Sequence, residues 1–183
     1  ALPICLINSE REEGFAVFVV DNTNRTEARY WIDDFLRVRQ RQDNYHNTHN
    51  TLAMCKKYVT KHLSKEFEVS KADQAELLNE TMKYFQEQES FSMDDFSEKV
   101  IRQPEVVESF TRFRQEYEQD RDIRIEDEFG ISDSAVKKQA RSYKSVIKLD
   151  RNFHIYVHGN RNLLEQGEDE KGKFYKVYYE EEE

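Results

Sequence analysis

Two short apolar runs near the start of the chain predict a β-hairpin. Residues 2–8 and 15–20 are rich in β-branched and other large apolar side chains, and a polar segment that ends in glycine separates them. Runs of this kind on either side of a turn are typical of two antiparallel strands. Beyond them, apolar residues between Ala28 and Leu36 recur at helical spacing after Thr26, which is suited to cap a helix. The Arg-x-Arg-x-Arg run that follows fits an extended segment equally well.

Four helices are predicted in the middle of the chain. Residues 52–63 and 70–85 each carry an apolar stripe at steps of three and four residues. The segment Ser-Met-Asp-Asp at residues 92–95 resembles a capping box, so a short helix that ends near Gln103 is expected there. Pro104 is well suited to the first position of another helix. The apolar residues that these helices are expected to bury are Leu52, Cys55, Val59, Leu63, Ala75, Leu78, Met82, Phe85, Phe96, Val100, Val107, Phe110, Phe113 and Tyr117.

A further helix and a sheet are predicted in the last third of the chain. Ser132 or Asp133 is suited to cap a helix that runs to about Ser145. The β-branched and aromatic runs that follow are separated by turn-like segments and predict an antiparallel meander; they are residues 146–149, 153–157 and 174–179. The expected fold class is therefore α+β, with central helices packed with an N-terminal hairpin and a C-terminal antiparallel meander.

Length and composition limit the class of protein. A chain of 183 residues suits a single domain over residues 1–183, and an aromatic content of 13% favours a folded chain over a disordered one. Because the chain does not begin with methionine, we expect it to be the C-terminal part of a longer protein. No apolar run approaches the roughly 20 residues of a membrane-spanning helix, so no membrane segment is expected. Two cysteines without a C-x-x-C spacing favour a reducing cytoplasm over a disulfide framework.

The net charge of −9 is unevenly distributed along the sequence. Residues 131–163 carry seven basic side chains against two acidic ones, whereas the last 20 residues carry eight acidic side chains against three lysines. Because a negatively charged protein repels nucleic acid, only a local surface could bind phosphate. The basic residues of segment 131–163 are Lys137, Lys138, Arg141, Lys144, Lys148, Arg151 and Arg161. A weaker basic run, diluted by acidic neighbours, comprises Arg37, Arg39 and Arg41.

The helix predicted to end near Ser145 would separate an apolar stripe from a basic one. At about 100° per residue, each of two sets of four residues falls within about 60°. The apolar set is Val136, Ala140, Tyr143 and Ile147, and the basic set is Lys137, Arg141, Lys144 and Lys148. One side would pack on the core while the cations follow a phosphate backbone, with no base-reading chemistry implied. The alternative is that the basic stripe is the ordinary polar face of a surface helix.

The sequence offers no strong signal for catalysis or metal binding. His154 and His158 would share one face of a strand, and His46 and His49 one face of a helix, but no spacing nominates a third ligand. Cys55 lies in an apolar stripe and is expected in the core. The nucleophile elbow, the P-loop and the dinucleotide-binding fingerprint are all missing from the sequence. We therefore expect no enzyme, no cofactor and no metal.

Several segments of the chain resemble the bacterial nucleoid-associated protein family. The longest resemblance is to its C-terminal signature, with ISDSAVKKQAR at residues 131–141 followed by residues 144–150 and 152–159. Upstream, parts of residues 30–36 and residues 104–110 are also similar to that family. The resemblance covers most of the chain. It implies a protein of the bacterial cytoplasm that associates with the nucleoid and binds DNA, and it carries no catalytic residue set or metal site.

These observations predict a nucleoid-associated protein that binds double-stranded DNA with little sequence preference through a local basic helix face. The phosphate contacts are assigned to the seven basic residues of segment 131–163. One alternative is a winged-helix regulator that reads sequence, since a glycine-containing turn, a capped helix and strands follow one another in that order. Another is a protein-interaction module of the nucleoid without direct DNA contact, which the acidic net charge favours. A protein partner in the nucleoid and a homo-oligomer both stay open.

Overall fold

The computed structural model describes residues 4–8, 16–20, 35–38, 42–143, 146–149, 151–157, 163–179 and 181. They belong to two compact units, residues 1–42 and residues 43–183, and the single domain over the whole chain stays a prediction. The first unit contains the antiparallel strands β1 (Ile4–Asn8) and β2 (Ala16–Val20), which pair over their whole length. The predicted N-terminal hairpin is thus confirmed. Most of the helix predicted from Thr26 lies outside the described residues.

The described part of the second unit is mainly helical. Its α-helices are α1 (Asn44–Lys57), α2 (Leu63–Glu66), α3 (Lys71–Glu87), α4 (Met93–Phe96), α5 (Pro104–Arg121) and α6 (Asp133–Ala140). Two π-helical turns, Tyr58–His62 and Ser97–Ile101, join α1 to α2 and extend α4. The four predicted mid-chain helices are confirmed: α1 continues into α2 as the first, and α3, α4 with its π-helical turn, and α5 are the others.

Local side-chain chemistry explains where three of these helices begin. The Asp43 carboxylate accepts the backbone N–H of His46 at 2.9 Å and caps α1. Ser70 and Asp73 form a reciprocal capping box at the start of α3. Pro104 occupies the first turn of α5, where a missing N–H costs nothing, as predicted.

The capping box predicted at residues 92–95 is wrong. Ser92 precedes α4 but its side chain makes no capping hydrogen bond. The Asp95 carboxylate is held elsewhere, because the Tyr84 hydroxyl and the Lys99 ammonium each donate to it at 2.8 Å. The Asp95 side chain therefore takes part in contacts with Tyr84 and Lys99 and not in a local cap.

The last helix, α6, is shorter than predicted. It ends at Ala140 instead of near Ser145, because the chain turns tightly and the N–H of Tyr143 donates to the Ala140 carbonyl at 3.1 Å. The Tyr143 hydroxyl donates to the backbone carbonyl of Leu52 in α1, and its ring is buried. The predicted basic stripe therefore does not continue along a helix beyond Arg141.

Three two-stranded antiparallel sheets complete the described part of the second unit. Their strands are β3 (Ser90–Ser92), β4 (Glu128–Gly130), β5 (Val146–Leu149), β6 (Phe153–Tyr156), β7 (Leu164–Asp169) and β8 (Gly172–Val177). β3 pairs with β4, β5 with β6 and β7 with β8. The C-terminal strands are antiparallel as predicted, but they form two separate hairpins in place of one meander. The sequence does not predict β7, because its residues LEQGED include no β-branched or aromatic side chain.

Aromatic rings dominate the main core between the helices. The ring centroids of Phe91 in β3 and Phe129 in β4 are 4.8 Å apart, and Phe85 of α3 stacks on Phe91 at 5.3 Å. Tyr58 packs against Phe110 of α5 with ring centroids 5.1 Å apart. These contacts join α3 to the β3–β4 sheet and the end of the first predicted helix to α5, and they bury rings that each remove a large apolar area from water.

A smaller core lies under the C-terminal hairpins. Ala72 and Ala75 of α3 pack there against Ile147, Val157 and Leu164. Helices and antiparallel hairpins thus pack on one another, and the predicted α+β class is confirmed. In the residues that the structure describes, no helix combines the length and the apolar character that crossing a membrane requires.

Candidate nucleic-acid interface

α6 is fixed against the start of α1 by contacts at its own N-terminus. The Ser132 N–H donates to the Thr48 hydroxyl of α1 at 3.0 Å. Gly130 allows the close approach, since a Cβ at this position would lie 2.6 Å from Asn44 Nδ2. Ala135 and Val136 are buried, so the opposite face of α6 points to solvent.

Three cations, here called the α6 cluster, project from that exposed face: Lys137, Lys138 and Arg141. They lie within about one helical turn of one another. Lys138 Nζ donates to the Tyr45 hydroxyl at 3.2 Å and lies 5.9 Å from the centre of its ring. No carboxylate of the described residues lies at ion-pair distance from any of the three. Their positive charge is therefore not neutralised by a described neighbour.

The positive region continues from α6 onto α1 and the end of α5. Tyr45 of α1 stacks on His49 with ring centroids 6.3 Å apart. Burial lowers the pKa of His49 below its ordinary value of 6.5, and the positive charges of Lys138, His46 and Arg121 lower it further against the opposing effect of a side-chain hydrogen bond. Because Lys138 and Arg121 belong to different helices, the positive potential at this position comes from several elements.

Tyr45, His49 and Arg121 are absent from the contact set predicted from the sequence. Arg121 ends α5, and only the packing of the helices brings its charge toward His49. One local signal does exist: His46 and His49 lie three residues apart and share one face of α1, beside Tyr45. That spacing points to a common surface, not to a metal site.

The remaining predicted contact residues do not lie on α6. Lys148 is exposed on β5, directly opposite His154 of β6, and Arg151 is exposed in the turn of the same hairpin. Lys144 and Arg161 lie outside the described residues, as do two of the three arginines of the weaker basic run. In place of one helical stripe, the described chain thus has two groups of cations, the α6 cluster and the pair on the β5–β6 hairpin.

A family model described as nucleoid-associated protein YejK matches residues 3–182. The chain belongs to this family. Neither a curated protein nor a solved structure matches it significantly. Membership confirms the resemblance seen in the sequence and establishes a nucleoid-associated role in the bacterial cytoplasm. Nucleoid-associated proteins are typically not enzymes.

The two ends of α6 differ in charge in this member of the YejK family. At the N-terminal end, Glu87 and Glu89 line the same shallow polar depression as residues 132–134. Carboxylates at that end complement the positive end of the helix dipole. The α6 cluster surrounds the C-terminal end. Acidic side chains thus lie beside the N-terminal end of α6 and basic side chains around its C-terminal end.

Histidines and cysteines form no metal-binding group in the part of this family member that the structure describes. No set of three or more potential metal-ligating side chains occurs there. His46 Nδ1 is hydrogen-bonded to Asp43 at 2.8 Å, His154 is exposed on β6, and His158 lies outside the described residues. Cys55 is confirmed as a core residue, and burial raises the pKa of its thiol, which opposes formation of a nucleophilic thiolate.

Proposed function

We propose that this nucleoid-associated protein binds double-stranded DNA with little sequence preference, with the α6 cluster on the phosphates. The observation that carries the proposal is that three exposed cations share one helical turn with no described carboxylate at ion-pair distance. Lysine and arginine neutralise phosphates irrespective of the bases, and this supplies affinity without sequence information. Lys148 and Arg151 on the β5–β6 hairpin extend the contact.

Because the chain is acidic overall, the lack of carboxylate partners around the α6 cluster in the described residues supports a binding role for it. In a chain of net charge −9, carboxylates are plentiful, and several cations on other elements pair with them. Arg102, Arg112 and Arg114 each meet a carboxylate oxygen at between 2.5 and 3.1 Å. Basic residues in the last turn of a helix also complement its dipole, by about 0.3–1 kcal/mol each. The dipole explains why cations sit at that end of α6, but not why no carboxylate meets them.

Low sequence preference follows from the way α6 is presented. In a winged-helix regulator, the N-terminal residues of the recognition helix approach the base edges. The N-terminal end of α6 lies beside Glu87 and Glu89, which the phosphates flanking a groove would repel. Of the α6 cluster, only Arg141 has the planar guanidinium fork that recognises one fixed geometry of acceptors. We therefore infer phosphate contacts without base readout.

A salt-dependent titration with a charge-reversal variant tests the proposal. The wild type should retard a duplex of random sequence at low salt and lose affinity steeply as salt rises. The triple variant Lys137→Glu, Lys138→Glu, Arg141→Glu should bind at least about 100-fold more weakly, and the slope of log affinity against log salt should fall by about 2.7, or about 0.9 for each lost phosphate contact.

A matched variant separates a local contact from the effect of total charge. Lys61→Glu, Lys65→Glu, Lys171→Glu changes the net charge equally at three exposed lysines on other elements. Because salt screens distant charges, this control should lose no more than about threefold in affinity. Equal weakening of both variants would remove the α6 cluster from the DNA surface. A wild type that fails to retard any duplex at low salt, yet binds a nucleoid protein, would favour the protein-interaction alternative.

A further inference from the structure

Two further cations, here called the α1–α5 pair, lie over one aromatic ring at the ends of α1 and α5. Lys57 Nζ is 5.2 Å from the centre of the Tyr117 ring, and the guanidinium carbon of Arg121 is 4.8 Å from the same centre. The two charges are therefore at most about 10 Å apart. Because salt screens charges only beyond about 8–10 Å, they still repel one another. The negative face of the ring compensates part of this repulsion and keeps the two cations together.

Neither cation of the α1–α5 pair is neutralised by a carboxylate that the structure describes. Both side chains are exposed, and no described carboxylate lies at ion-pair distance from either. Asp120 and Asp122 flank Arg121 in the sequence without pairing with it. Glu118, less than one turn away, accepts a hydrogen bond from Arg114 at 3.2 Å. The positive charge at the end of α5 therefore stays available to a ligand.

The α1–α5 pair and the α6 cluster lie near the same part of α1. Burial is the largest cause of the lowered pKa of His49, and every described charge that shifts this pKa further is positive, among them Lys138 of α6 and Arg121 of α5. The Tyr143 hydroxyl, just after α6, donates to the Leu52 carbonyl and so holds the end of α6 beside the middle of α1. Cations from α6 and from α5 thus act on one common surface.

The length of this surface suits a polymer of phosphates. His49 and Lys57 are eight residues apart on α1, which corresponds to about 12 Å at about 1.5 Å per residue. Over that length a DNA duplex presents about seven phosphates, at one per about 1.7 Å of its axis. A duplex that lies on the α6 cluster therefore carries further phosphates as far as the α1–α5 pair. A single small anion would meet only one of the two groups.

We propose that one DNA duplex contacts both groups of cations, with Lys57 and Arg121 on phosphates next to those bound by the α6 cluster. This inference rests on the proposed function, because the α6 cluster determines where the duplex lies, and it extends the contact to two more helices. Contacts of this kind add affinity without sequence information. The Tyr117 ring holds the two cations in place without a carboxylate that would compete with phosphate.

A salt-dependent titration of the whole chain with a random duplex of about 20 base pairs tests the contact. Lys57→Glu, Arg121→Glu should bind about 10- to 50-fold more weakly, and the slope of log affinity against log salt should fall by about 1.8. The control Lys171→Glu, Lys173→Glu changes the net charge equally at two exposed lysines of the β7–β8 hairpin. It should lose no more than about threefold. Equal affinities of the two variants would overturn the inference.

Two further variants show whether charge or the cation–ring geometry is responsible. Lys57→Arg, Arg121→Lys keeps both charges and should stay within about threefold of the wild type. Lys57→Gln, Arg121→Gln removes both charges without reversing them and should lose about 5- to 20-fold, again with a slope lower by about 1.8. If the charge-preserving swap binds as weakly as the glutamine variant, a contact made through charge is overturned. Should far-UV circular dichroism show the glutamate variant unfolded, the glutamine variant takes its place.

A gain of affinity provides a test that unfolding cannot imitate. Asp120→Asn, Asp122→Asn removes the two carboxylates that flank Arg121, and asparagine tolerates the positive φ of 52° at residue 122. Because carboxylates repel phosphate, this variant should bind the duplex about two- to fivefold more tightly. An unchanged or weaker affinity would place the end of α5 away from the duplex and overturn the inference.

The inference and the α6 proposal fail in different ways. If the α1–α5 glutamate variant binds like the wild type while the α6 triple variant loses duplex binding, the inference is overturned and the proposed function stands. Two separate sites would each survive the removal of the other, so that each variant would lose at most about twofold. That result would overturn a contact by one duplex and leave DNA binding in place. A wild type that retards no duplex at low salt would overturn both.

Discussion

Arg114 of α5 and the cations of the α6 cluster are in opposite electrostatic settings. Arg114 of α5 donates to Glu118 at 3.2 Å, to Asp127 at 2.5 Å and to the Ile125 carbonyl at 2.5 Å. The α6 cluster meets no carboxylate at ion-pair distance in the described residues. The first kind of cation holds the fold together, and the second kind is available to a ligand. The two sets of cations therefore differ in how far neighbouring carboxylates compensate their charge.

The contacts of Arg114 and Glu118 in α5 help to fix the position of the α6 cluster. Glu118 accepts the N–H of Ile125 at 2.8 Å as well as a hydrogen bond from Arg114, and Ile125 is fully buried. These contacts hold the segment between α5 and β4 against α5. The same segment leads through β4 directly into α6. The structural arginine thus helps to place the cations that face solvent.

Removal of Arg114 should have the largest effect on stability. Arg114→Ala leaves Glu118 and the Ile125 carbonyl without a charged donor in a largely buried site, and should lower the free energy of unfolding by about 2–3 kcal/mol. Arg114→Lys should recover less than about half of this loss, because an ammonium cannot reproduce a planar fork with three acceptors. Urea-induced unfolding measures both. A loss below about 0.5 kcal/mol would make the network equivalent to an ordinary surface pair.

Much of the helical body is predictable because helix periodicity and capping are local properties. The capping box at Ser70, the proline at the start of α5 and the apolar stripes depend on residues within one or two turns. The pairing of Arg112 with Glu66 depends instead on how α5 packs against the end of α2. Since no local pattern encodes that packing, paired and partnerless cations look alike in the sequence.

The candidate site is predictable in part for the same reason. The α6 cluster shares one face because its spacing is local. α6 ends before Tyr143, whose hydroxyl donates to the Leu52 carbonyl of another helix, and Lys148 lies on β5 and not on α6. The contribution of Arg121 near His49 also arises only when the helices pack. Tertiary contacts thus decide both what is missing from the predicted stripe and what is added to it.

Single removals from the α6 cluster should change binding and leave stability intact. Arg141→Ala should weaken duplex binding by about 5- to 10-fold, or roughly 1 kcal/mol, and reduce the salt slope by about 0.9. Its free energy of unfolding should stay within about 0.5 kcal/mol of the wild type, because the side chain is exposed and makes no ion pair among the described residues. Fluorescence anisotropy at several salt concentrations measures binding, with Lys61→Ala as the control. If Arg141→Ala loses stability but retains its affinity for DNA, Arg141 stabilises the fold and does not bind DNA.

His49 links the charge of the α6 cluster to the pH dependence of stability. Its pKa is lowered from 6.5 first by burial and then by positive charges that include Lys138. As pH falls through about 6.5, the unfolded chain takes up a proton at this site before the folded chain does. The contribution of His49 to the free energy of unfolding is therefore fully present above that pH and decreases below it.

Replacement of His49 by a neutral side chain should reduce this loss. Between about pH 7.5 and about pH 5, His49→Gln should lose less stability than the wild type in urea unfolding. Lys138→Ala should show a smaller change in the same direction, because one of the charges that disfavour the protonated imidazole is removed. Identical pH profiles for His49→Gln and the wild type would contradict a half-buried imidazole surrounded by positive charge.

Removal of Arg112 should have the smallest effect, although two carboxylates hold it. Its guanidinium meets Glu66 at 3.1 Å and Glu108 at 3.0 Å, but the Arg112 side chain is 56% exposed where that of Arg114 is 16% exposed. Water screens such pairs, and ordering three long side chains costs entropy, so Arg112→Ala should produce less than about a quarter of the Arg114→Ala effect. The same urea series measures both variants. Equal losses would mean that the number of carboxylate partners, and not their burial, sets the stabilisation from each cation. The lack of carboxylate partners around the α6 cluster in the described residues would then be stronger support for a ligand-binding role of that surface.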